Sequence, residues 1–341
     1  MRTPVTIRDV ARLAEVHPGT VSRALNEQTR MLVNEETAAR VLRAADELGY
    51  RPNPIARGLK TNRSYTVGVV IPDLTNPLFP PIVRGIEDRL GAAGYTPLIV
   101  NTDNDPGRER SHVEAMLARQ VDGLIAATAR LDVTLLVEAA AAGTPLVLVN
   151  RSLEDGSAPA VTVDDRRGIA LAVEHVVGLG HRLIGNVAAP QNVSTGHRRH
   201  LGFEDAMQAA GLEIDPGHVS FADAFTESEG SRGCAEILGH EPCVTAIVAA
   251  NDRLAMGCYD TLAAAGLRCP EDVSIVGFND MPFIDRLQPP LTSVRVPQRE
   301  IGTTAADLLL AQLGDGEAAA QEILLEPELI VRGSTAPPGN A

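Results

Sequence analysis

The chain has 341 residues, of which 44% are hydrophobic and 22% charged, and its formal net charge is −14. This length suits two or three domains, and the composition is that of a globular protein able to bury large cores. No apolar run approaches the ~20 residues that span a bilayer, and the N-terminus lacks the apolar segment of a signal peptide. We therefore predict a cytoplasmic protein with no membrane partner.

The charge is unevenly distributed. Residues 1–63 contain eleven Lys/Arg and seven Asp/Glu, a balance of +4, whereas the remainder contains 19 and 37, a balance of −18. A basic end on an acidic body confines attraction for phosphate to that end. The composition therefore allows a nucleic-acid-binding N-terminus despite the negative total.

The segment Thr6–Asn26 has the pattern of two short helices joined by a tight turn. Thr6 with Asp9 three residues later resembles a capping box, and apolar residues then recur at helical spacing. Proline is tolerated in the first turn of a helix but not inside one, so Pro18 begins the second helix. The pattern is typical of a DNA-binding helix-turn-helix, or of an ordinary helical hairpin.

The second helix, from about Pro18 to Asn26, presents polar side chains on its outer face. A third helix over about 34–48 completes a small headpiece with a thin core. The proline-rich segment Tyr50–Ser64 follows, and it predicts a linker with one or two marginal helical turns. We expect this linker to be mobile on its own and helical only when other contacts hold it in place.

From Thr66 onward, short apolar runs alternate with helical stretches. The predicted strands are Val67–Ile71, Pro97–Val100, Gly123–Ala127, Leu146–Val149, Leu183–Val187, His218–Phe221, Thr245–Ala249 and Ser274–Gly277. Continuous apolar runs indicate buried parallel strands. They predict an α/β core of two doubly wound lobes, with a ligand cleft outside the carboxyl ends of the strands.

A series of short motifs runs along the whole chain. They are T-I-R-D-V-A (Thr6–Ala11), T-V-S-R-A-L-N (Thr20–Asn26), E-L-G-Y-R-P-N (Glu47–Asn53), A-R-G-L (Ala56–Leu59), V-G-V-V-I-P-D (Val67–Asp73), N-P-L-F (Asn76–Phe79), L-G-H-R (Leu179–Arg182), R-H-L-G-F (Arg199–Phe203), A-N-D (Ala250–Asp252), G-F-N-D (Gly277–Asp280) and P-P-L-T-S-V (Pro289–Val294). In this order they resemble the lactose/galactose repressor family of bacterial transcription factors.

The resemblance implies a small all-α helix-turn-helix headpiece and a core like the type I periplasmic sugar-binding proteins. It places the headpiece at 1–50, a hinge at 51–64, lobe 1 at about 65–162 and 293–323, lobe 2 at about 163–291 and 325–335, and a tail at 336–341. It implies a repressor that binds double-stranded operator DNA as a homodimer on a pseudo-palindrome. A small molecule in the cleft, such as a sugar or sugar derivative, would control it.

Several headpiece residues are candidates for DNA contact. Arg23 suits a base reader, because its fork matches guanine O6 and N7, or it contacts phosphate. Thr6, Thr20, Ser22 and Asn26 are expected to position phosphates. The family reads bases at the positions held here by Pro18 and Gly19, which have no polar side chain. Specificity is therefore left to His17, Thr20, Arg23, thymine methyl contacts or DNA shape.

The hinge candidates also come from the resemblance. Asn53 and Ala56 lie in matching motifs, and Leu59 matches a leucine that such repressors wedge into the minor groove. An apolar wedge unstacks a base step and bends the duplex. The alternative for Leu59 is a leucine that covers the core.

The effector candidates are spread over both predicted lobes. They are Phe79, Asp103, Asn150, Arg199, Phe225, Asn251 and Asn279. Arg199 matches the family's ligand-clamping arginine, and the two phenylalanines would stack on a ligand or pack in the core. The asparagines offer donors and acceptors, Asp103 reaches the cleft or stays in a solvated loop, and a neutral polyol is the favoured ligand.

Other functions are less well supported. Ser194, His197 and Asp205 suggest a hydrolytic triad, yet no nucleophile elbow, Walker loop or dinucleotide fingerprint accompanies them, so we predict no enzyme and no cofactor. The cysteines lie too far apart for paired C-x2-C zinc clusters, and we predict no metal. A sugar-binding protein without a DNA role explains the core but not the headpiece.

Overall fold

The structure is a computed structural model, and it describes residues 5–26, 29–51, 63–128, 135–153, 155–314 and 322–339. The chain divides into two compact units, Met1–Ser64 and Tyr65–Ala341. None of the helices in the described ranges is both long and apolar enough to cross a bilayer.

The N-terminal unit is helical, as predicted. Its elements are α1 (Ile7–Leu13), α2 (Pro18–Leu25), a 3-10 turn (Arg30–Leu32) and α3 (Glu35–Glu47). The buried side chains are mostly alanines and valines, so the three helices lie close together around a small core. The Thr6 N–H donates to the Asp9 carboxylate at 3.0 Å, which is the backbone half of the predicted capping box.

Two arginines of this unit stabilise helix ends. The Arg30 Nε–H donates to the Ala24 carbonyl at 2.9 Å, and the Arg40 Nε–H donates to the Ala14 carbonyl at 2.9 Å. The last carbonyls of a helix lack intrahelical partners, so these side chains satisfy groups that the thin core leaves open. Part of the positive charge of this segment therefore has a structural role.

The second unit contains two sheets with helices around them. Its strands are β1 (Thr66–Ile71), β2 (Thr96–Asn101), β3 (Gly123–Ala126), β4 (Leu146–Val149), β5 (Ala160–Val163), β6 (Ile184–Ala188), β7 (Val219–Phe221), β8 (Ala246–Ala249), β9 (Ser274–Asn279), β10 (Thr292–Arg295), β11 (Glu322–Leu325) and β12 (Glu328–Ile330). Its helices are α4 (Phe79–Ala92), α5 (Pro106–Ala118), α6 (Leu135–Ala141), α7 (Asp165–Gly178), α8 (Ser194–Ala209), α9 (Glu227–Leu238), α10 (Asp252–Ala264) and α11 (Gln298–Leu313).

The sheets correspond to two successive lobes. The first has the order β11-β5-β4-β3-β1-β2 and the second β12-β10-β9-β8-β6-β7. Their pairings are parallel except that β12 runs antiparallel to β10. The central strands are buried along their length, which explains their continuous apolar runs. The predicted pair of doubly wound lobes is confirmed.

The chain passes between the lobes after β5, after β10 and between β11 and β12. Because β10 pairs with β9, lobe 2 extends to Arg295, and the predicted lobe 1 segment from 293 begins too early. The tail prediction needs a similar correction, since the Ala336 N–H donates to Ser274 Oγ at 3.1 Å within lobe 2.

Helix α11 returns to lobe 1 and packs against α4. A Cβ on Gly302 would lie 2.0 Å from the Ile82 carbonyl oxygen, and a Cβ on Gly85 would lie 2.3 Å from the Arg299 carbonyl oxygen. Glycine at both positions therefore allows the two backbones to approach closely, which anchors the crossover helix to the first lobe.

Candidate functional site

Helix α2 begins with a cap supplied by His17. The His17 Nδ1 accepts a hydrogen bond from the Gly19 N–H at 3.0 Å, and Pro18 occupies the first helical position. Because Nδ1 accepts, neutral His17 carries its proton on Nε2, which remains a donor. A Cβ on Gly19 would lie 3.1 Å from His17 Nδ1, so the small residue suits this cap.

The outer face of α2 carries the predicted polar set. Ser22 and Arg23 are exposed, Thr20 and Asn26 are half-buried, and Val21 and Ala24 lie in the core. Within the described ranges, the Arg23 guanidinium forms no ion pair with a carboxylate. The face thus offers a hydroxyl and a guanidinium to a partner. Thr6 is exposed at the start of α1.

Asn53, Ala56 and Leu59 lie outside the described residues.

A cavity of about 220 Å³ lies between the two lobes, at the carboxyl ends of their strands. Its lobe 1 wall includes Asn76, Phe79, Thr102, Glu109, Thr128, Asn150 and Arg151, and its lobe 2 wall includes Asn192, Thr195, Arg199, Phe225, Asn251 and Asn279. Many of these residues directly follow a strand, which is where parallel α/β sheets present ligand-binding groups. The predicted interlobe cleft is present.

The predicted effector residues mostly meet in this cavity. Phe79, Asn150, Arg199, Phe225, Asn251 and Asn279 all line it. Asp103 does not, although its neighbours Thr102 and Asn104 do. Its carboxylate pairs instead with Arg108 on α5 and accepts from Asn101, so the expectation that it reaches the cleft is wrong. The solvated-loop alternative describes it better.

Arg199 is held in place by contacts within lobe 2. Its Nε–H donates to the Asp165 carboxylate at 2.7 Å, and its Nη1 donates to the Ala250 carbonyl at 2.8 Å. Its guanidinium carbon also lies 3.8 Å from the centre of the Phe278 ring. Both members of the ion pair are nearly fully buried, at 3% and 1% exposure. This leaves Nη2 to donate to a ligand, so Arg199 can form only part of a bidentate contact with it.

The asparagines offer different groups. The Asn251 Oδ1 caps α10 by accepting from the Leu254 N–H at 2.8 Å, which leaves its Nδ2 as a donor. The Asn279 Oδ1 and Thr102 Oγ1 are buried and have no hydrogen-bond partner among the residues that the structure describes. A buried polar atom without a partner is costly, so each is suited to a ligand or water. Asn279 also has a φ of 111°, a strained conformation of the kind found at binding sites.

Comparison with known proteins agrees with this geometry. A family model described as "Bacterial regulatory proteins, lacI family" matches residues 6–53, and one described as "Periplasmic binding protein-like domain" matches residues 173–335. The HTH-type transcriptional repressor CytR of Escherichia coli (strain K12) is 34% identical over 333 residues, which cover 98% of this chain and 97% of CytR. The chain belongs to the LacI family.

Solved structures show the same likeness over nearly the whole length of this LacI-family chain. A crystal structure of the lac repressor dimer bound to operator and the anti-inducer ONPF has a TM-score of 0.84 at 27% identity, covering 98% of this chain and 100% of that one. A transcriptional regulator CelR–cellobiose complex has a TM-score of 0.75 at 32% identity, covering 97% and 99%. The chain is therefore a DNA-binding transcription regulator with a helix-turn-helix headpiece.

An ion triad at the cleft joins the lobes of this LacI-family chain, and we did not predict it. Arg253 donates through Nε and Nη2 to the Glu227 carboxylate at 2.8 Å each, and its Nη1 lies 3.3 Å from Asp73 Oδ2 across the cleft. The hydrogen bonds from Arg253 hold the pKa of Glu227 below its ordinary range. Asp73 comes shortly after β1 and Arg253 shortly after β8, so their places in the sequence are typical of residues at the edge of the cleft.

Glu109 is a second residue that we missed. It lies on α5, lines the cavity, and accepts a hydrogen bond from Thr128 Oγ1 at 2.7 Å. Its position in a first helical turn is where acids commonly occur for helix stability alone. The sequence therefore contained no sign that it lies in the cleft.

Two acidic residues near the cleft form ion pairs and hydrogen bonds within lobe 2. Asp280 pairs with Arg295 at 2.7 Å and with Arg332 at 2.6 Å. Asp252 is fully buried, and its carboxylate accepts from the Ser293 hydroxyl at 2.5 Å and the Met281 N–H at 2.8 Å. Removal from water raises the pKa of Asp252 to about 7, although both hydrogen bonds oppose the shift.

Proposed function

We propose that this chain is a cytoplasmic repressor that binds a pseudo-palindromic operator as a homodimer. A small molecule in the interlobe cavity, a sugar or sugar derivative, would control it. The similar lac repressor structure is a dimer bound to operator, the similar CelR structure contains cellobiose, and CytR is a named repressor. Two headpieces related by a twofold axis would place their recognition helices on half-sites about one helical turn apart.

The observation that carries this proposal is the outward polar face of α2. Ser22 and Arg23 are exposed on this face and do not pack in the headpiece core. His17 caps the start of the helix that carries them. We propose that Arg23 reads a base, that Thr6, Thr20, Ser22 and Asn26 contact phosphates, and that His17 offers its Nε2–H. Asn53, Ala56 and Leu59 remain proposed hinge contacts.

The cavity chemistry favours a neutral, hydroxyl-rich ligand. The charge of Arg199 is already balanced by Asp165, so a second anion is not required. Hydroxyl groups, which both donate and accept, match the acceptors on Asn279 and Thr102 and the Asn251 donor. Phe79 and Phe225 supply apolar surface on which a sugar ring can lie.

We infer that control depends on lobe closure. The Asp73–Arg253 contact exists only while the lobes are close, so a ligand that binds both walls favours the state in which it forms. A ligand shifts an equilibrium only by its differential affinity for the two states, and effector and DNA must then alter each other's affinity reciprocally. Such coupling is typically about 1–3 kcal/mol.

We propose no catalytic role. The Ser194 hydroxyl accepts from the Ser152 N–H at 3.0 Å, and Asp205 lies 3.4 Å from Arg166. Ser194 and Asp205 of the suggested triad therefore use their polar groups in separate contacts, with residues outside the triad.

The test of the function is selection of bound duplexes from a random pool, with and without a sugar panel. We expect a recurring pseudo-palindromic sequence whose retention changes with one sugar, and saturable calorimetric binding of that sugar. A pool without any preferred sequence would contradict the operator proposal. Saturable binding of purines or amino acids alone would contradict the sugar proposal and leave the DNA proposal standing.

Replacing Arg23 with alanine should weaken binding to the selected operator by about 1–3 kcal/mol and relax the preference at one base pair. Fluorescence anisotropy on the operator and its single-base variants would measure both effects. Arg43→Ala, which removes the same charge from the exposed side of α3, is the matched control and should preserve the preference. Uniform weakening with a smaller salt dependence would instead assign Arg23 to phosphate.

Replacing Leu59 with alanine should lower operator affinity by about 1.5–3 kcal/mol, the value of one buried leucine side chain. We expect urea unfolding of the second unit to be unchanged, because the proposed wedge contacts DNA rather than the core. Leu59→Met keeps an apolar side chain and should retain most of the affinity. Equal affinity of Leu59→Ala and the parent in a gel-shift titration would remove the wedge role.

A further inference from the structure

Three side chains of types that ligate metals meet in lobe 2, and none of them is among the residues that line the cleft. They are Asp215, His218 and His240, and one donor atom of each lies within 4.8 Å of the others. Asp215 and His218 belong to the turn that precedes β7, and His240 belongs to the loop that follows α9. Loops 25 residues apart in sequence thus contribute to one cluster, which is why the sequence did not predict it.

The histidine tautomer at the buried position suits metal binding. His218 is 3% exposed, and its Nε2 lies 2.8 Å from the Pro242 carbonyl oxygen. A carbonyl only accepts, so Nε2 carries the hydrogen and Nδ1 has the lone pair. Metal-ligating histidines are commonly oriented in this way, with the second ring nitrogen donating to a carbonyl or carboxylate.

The carboxylate and the second imidazole are also held in place. Asp215 Oδ1 accepts from the Gly217 N–H at 2.9 Å, and Oδ2 lies 3.0 Å from His240 Nε2. Two hydrogen bonds keep the pKa of Asp215 below its ordinary value. The larger effect comes from the Gly217 N–H and the smaller from His240. A Cβ on Gly217 would lie 2.5 Å from the His240 ring, so glycine makes room for that ring. The two imidazoles meet edge to face with centroids 5.1 Å apart.

We propose that Asp215, His218 and His240 bind a divalent transition-metal ion of the zinc class. Two imidazoles and a carboxylate are a donor set that such ions prefer over Mg²⁺ or Ca²⁺, and a fourth position stays open. A tetrahedral ion with bonds of about 2.1 Å requires ligand atoms about 3.4 Å apart, so binding draws the donors together. Asp215 and His240 are each about 40% exposed and lie in loops, which allows this adjustment.

Binding replaces one hydrogen bond with a coordinate bond. The ion takes the place of the hydrogen between His240 Nε2 and Asp215, and the ring proton of neutral His240 moves to Nδ1 through solvent. His218 keeps its bond to Pro242. The ion would therefore tie the start of β7 to the loop after α9 and stabilise lobe 2 by linkage.

The test is titration of tag-free, full-length protein with ZnCl₂ by calorimetry, together with Co²⁺ absorption in the visible range. We expect one saturable site per chain, visible d–d bands of low-coordinate Co²⁺, and no response to Mg²⁺. His240→Gln keeps an N–H for Asp215 but removes the ligand nitrogen, and should weaken Zn²⁺ binding at least about tenfold, as even outer-shell changes at metal sites do. Asp215→Asn should weaken it similarly.

The matched control is His112→Gln, since His112 is half-buried on α5 in the other lobe. It should bind Zn²⁺ like the parent. Absence of saturable binding to the parent would overturn the proposal, and so would equal affinity in His240→Gln and the parent. Operator binding by His240→Gln, expected to be unchanged without metal, would show that the variant is folded and keep the result separate from the regulatory function.

Discussion

Replacing Asp165 with alanine should lower the free energy of unfolding of the second unit by about 3–5 kcal/mol, because it leaves a buried arginine without its counter-charge. Asp165 and Arg199 join the start of α7 to the first turns of α8 through a contact of 2.7 Å that solvent hardly reaches. Burial raises the pKa of Asp165 while Arg199 opposes that rise, so the pair balances desolvation against attraction. Urea unfolding followed by circular dichroism would measure the loss.

A surface pair on the same helix provides the control. Arg167 Nη1 lies 2.7 Å from Glu174 Oε1, and their side chains are 47% and 57% exposed. Exposed pairs contribute about 0–1 kcal/mol, so Arg167→Ala should have little effect. The double variant Asp165→Ala/Arg199→Met should recover part of the loss, since it removes the unpaired charge. Equal destabilisation by Asp165→Ala and Arg167→Ala would show that the buried pair has no special role.

The architecture was predictable because each of its signals is local. Runs such as Leu146–Val149 are short, apolar and bounded by polar residues, and a buried parallel strand requires little else. The cap by Asp9 and the turn at Pro18 are equally local, because both act within one helical turn. The family motifs then ordered these elements into a headpiece and two lobes.

The environment of the cleft was less predictable, because it depends on residues distant in sequence. A position after a strand indicates the cleft edge, which placed Asn150, Asn251 and Asn279 there. The same rule placed Asp103 there wrongly, since Arg108 draws its carboxylate away. Similarly, the Asp165 partner of Arg199 is 34 residues away, and no local pattern links the two.

The approximate lobe boundary that we predicted near 293 falls inside β10, which pairs with β9 in lobe 2, for a related reason. The strand motif around Thr292–Arg295 is visible in the sequence, but the sheet to which it belongs is decided by its pairing with β9. A strand near a crossover can pair in either lobe until the register of its neighbours is known. Boundaries of this kind follow from tertiary contacts rather than from composition.

Asp252 provides a second test with a large expected effect, read as a function of pH. Its carboxylate is fully buried, with a pKa of about 7 against an ordinary value of 3.8. The folded state therefore holds the proton more tightly than the unfolded state does. The stability contributed by this proton is fully present below about pH 4 and is lost as the pH rises through 7, with a limit of about 4 kcal/mol.

Replacing Asp252 with asparagine should remove this dependence. An asparagine can accept from the Met281 N–H through Oδ1 and donate to Ser293 Oγ through Nδ2, so both native contacts have a substitute. The variant cannot ionise, and burial no longer opposes a charge. We expect its free energy of unfolding, relative to the parent, to rise by about 4 kcal/mol between pH 4 and pH 8.

The measurement is urea unfolding of both proteins at intervals of pH across that range. The Asp252→Asn difference should grow most steeply between pH 5 and 7, because the unfolded-state carboxyl is already ionised there and the folded one is still losing its proton. Asp285→Asn, which removes an exposed carboxylate from the same lobe, should follow the parent profile. A constant difference across the range would mean that Asp252 is charged in the folded protein throughout, and that its two hydrogen bonds together with Arg199 outweigh its burial.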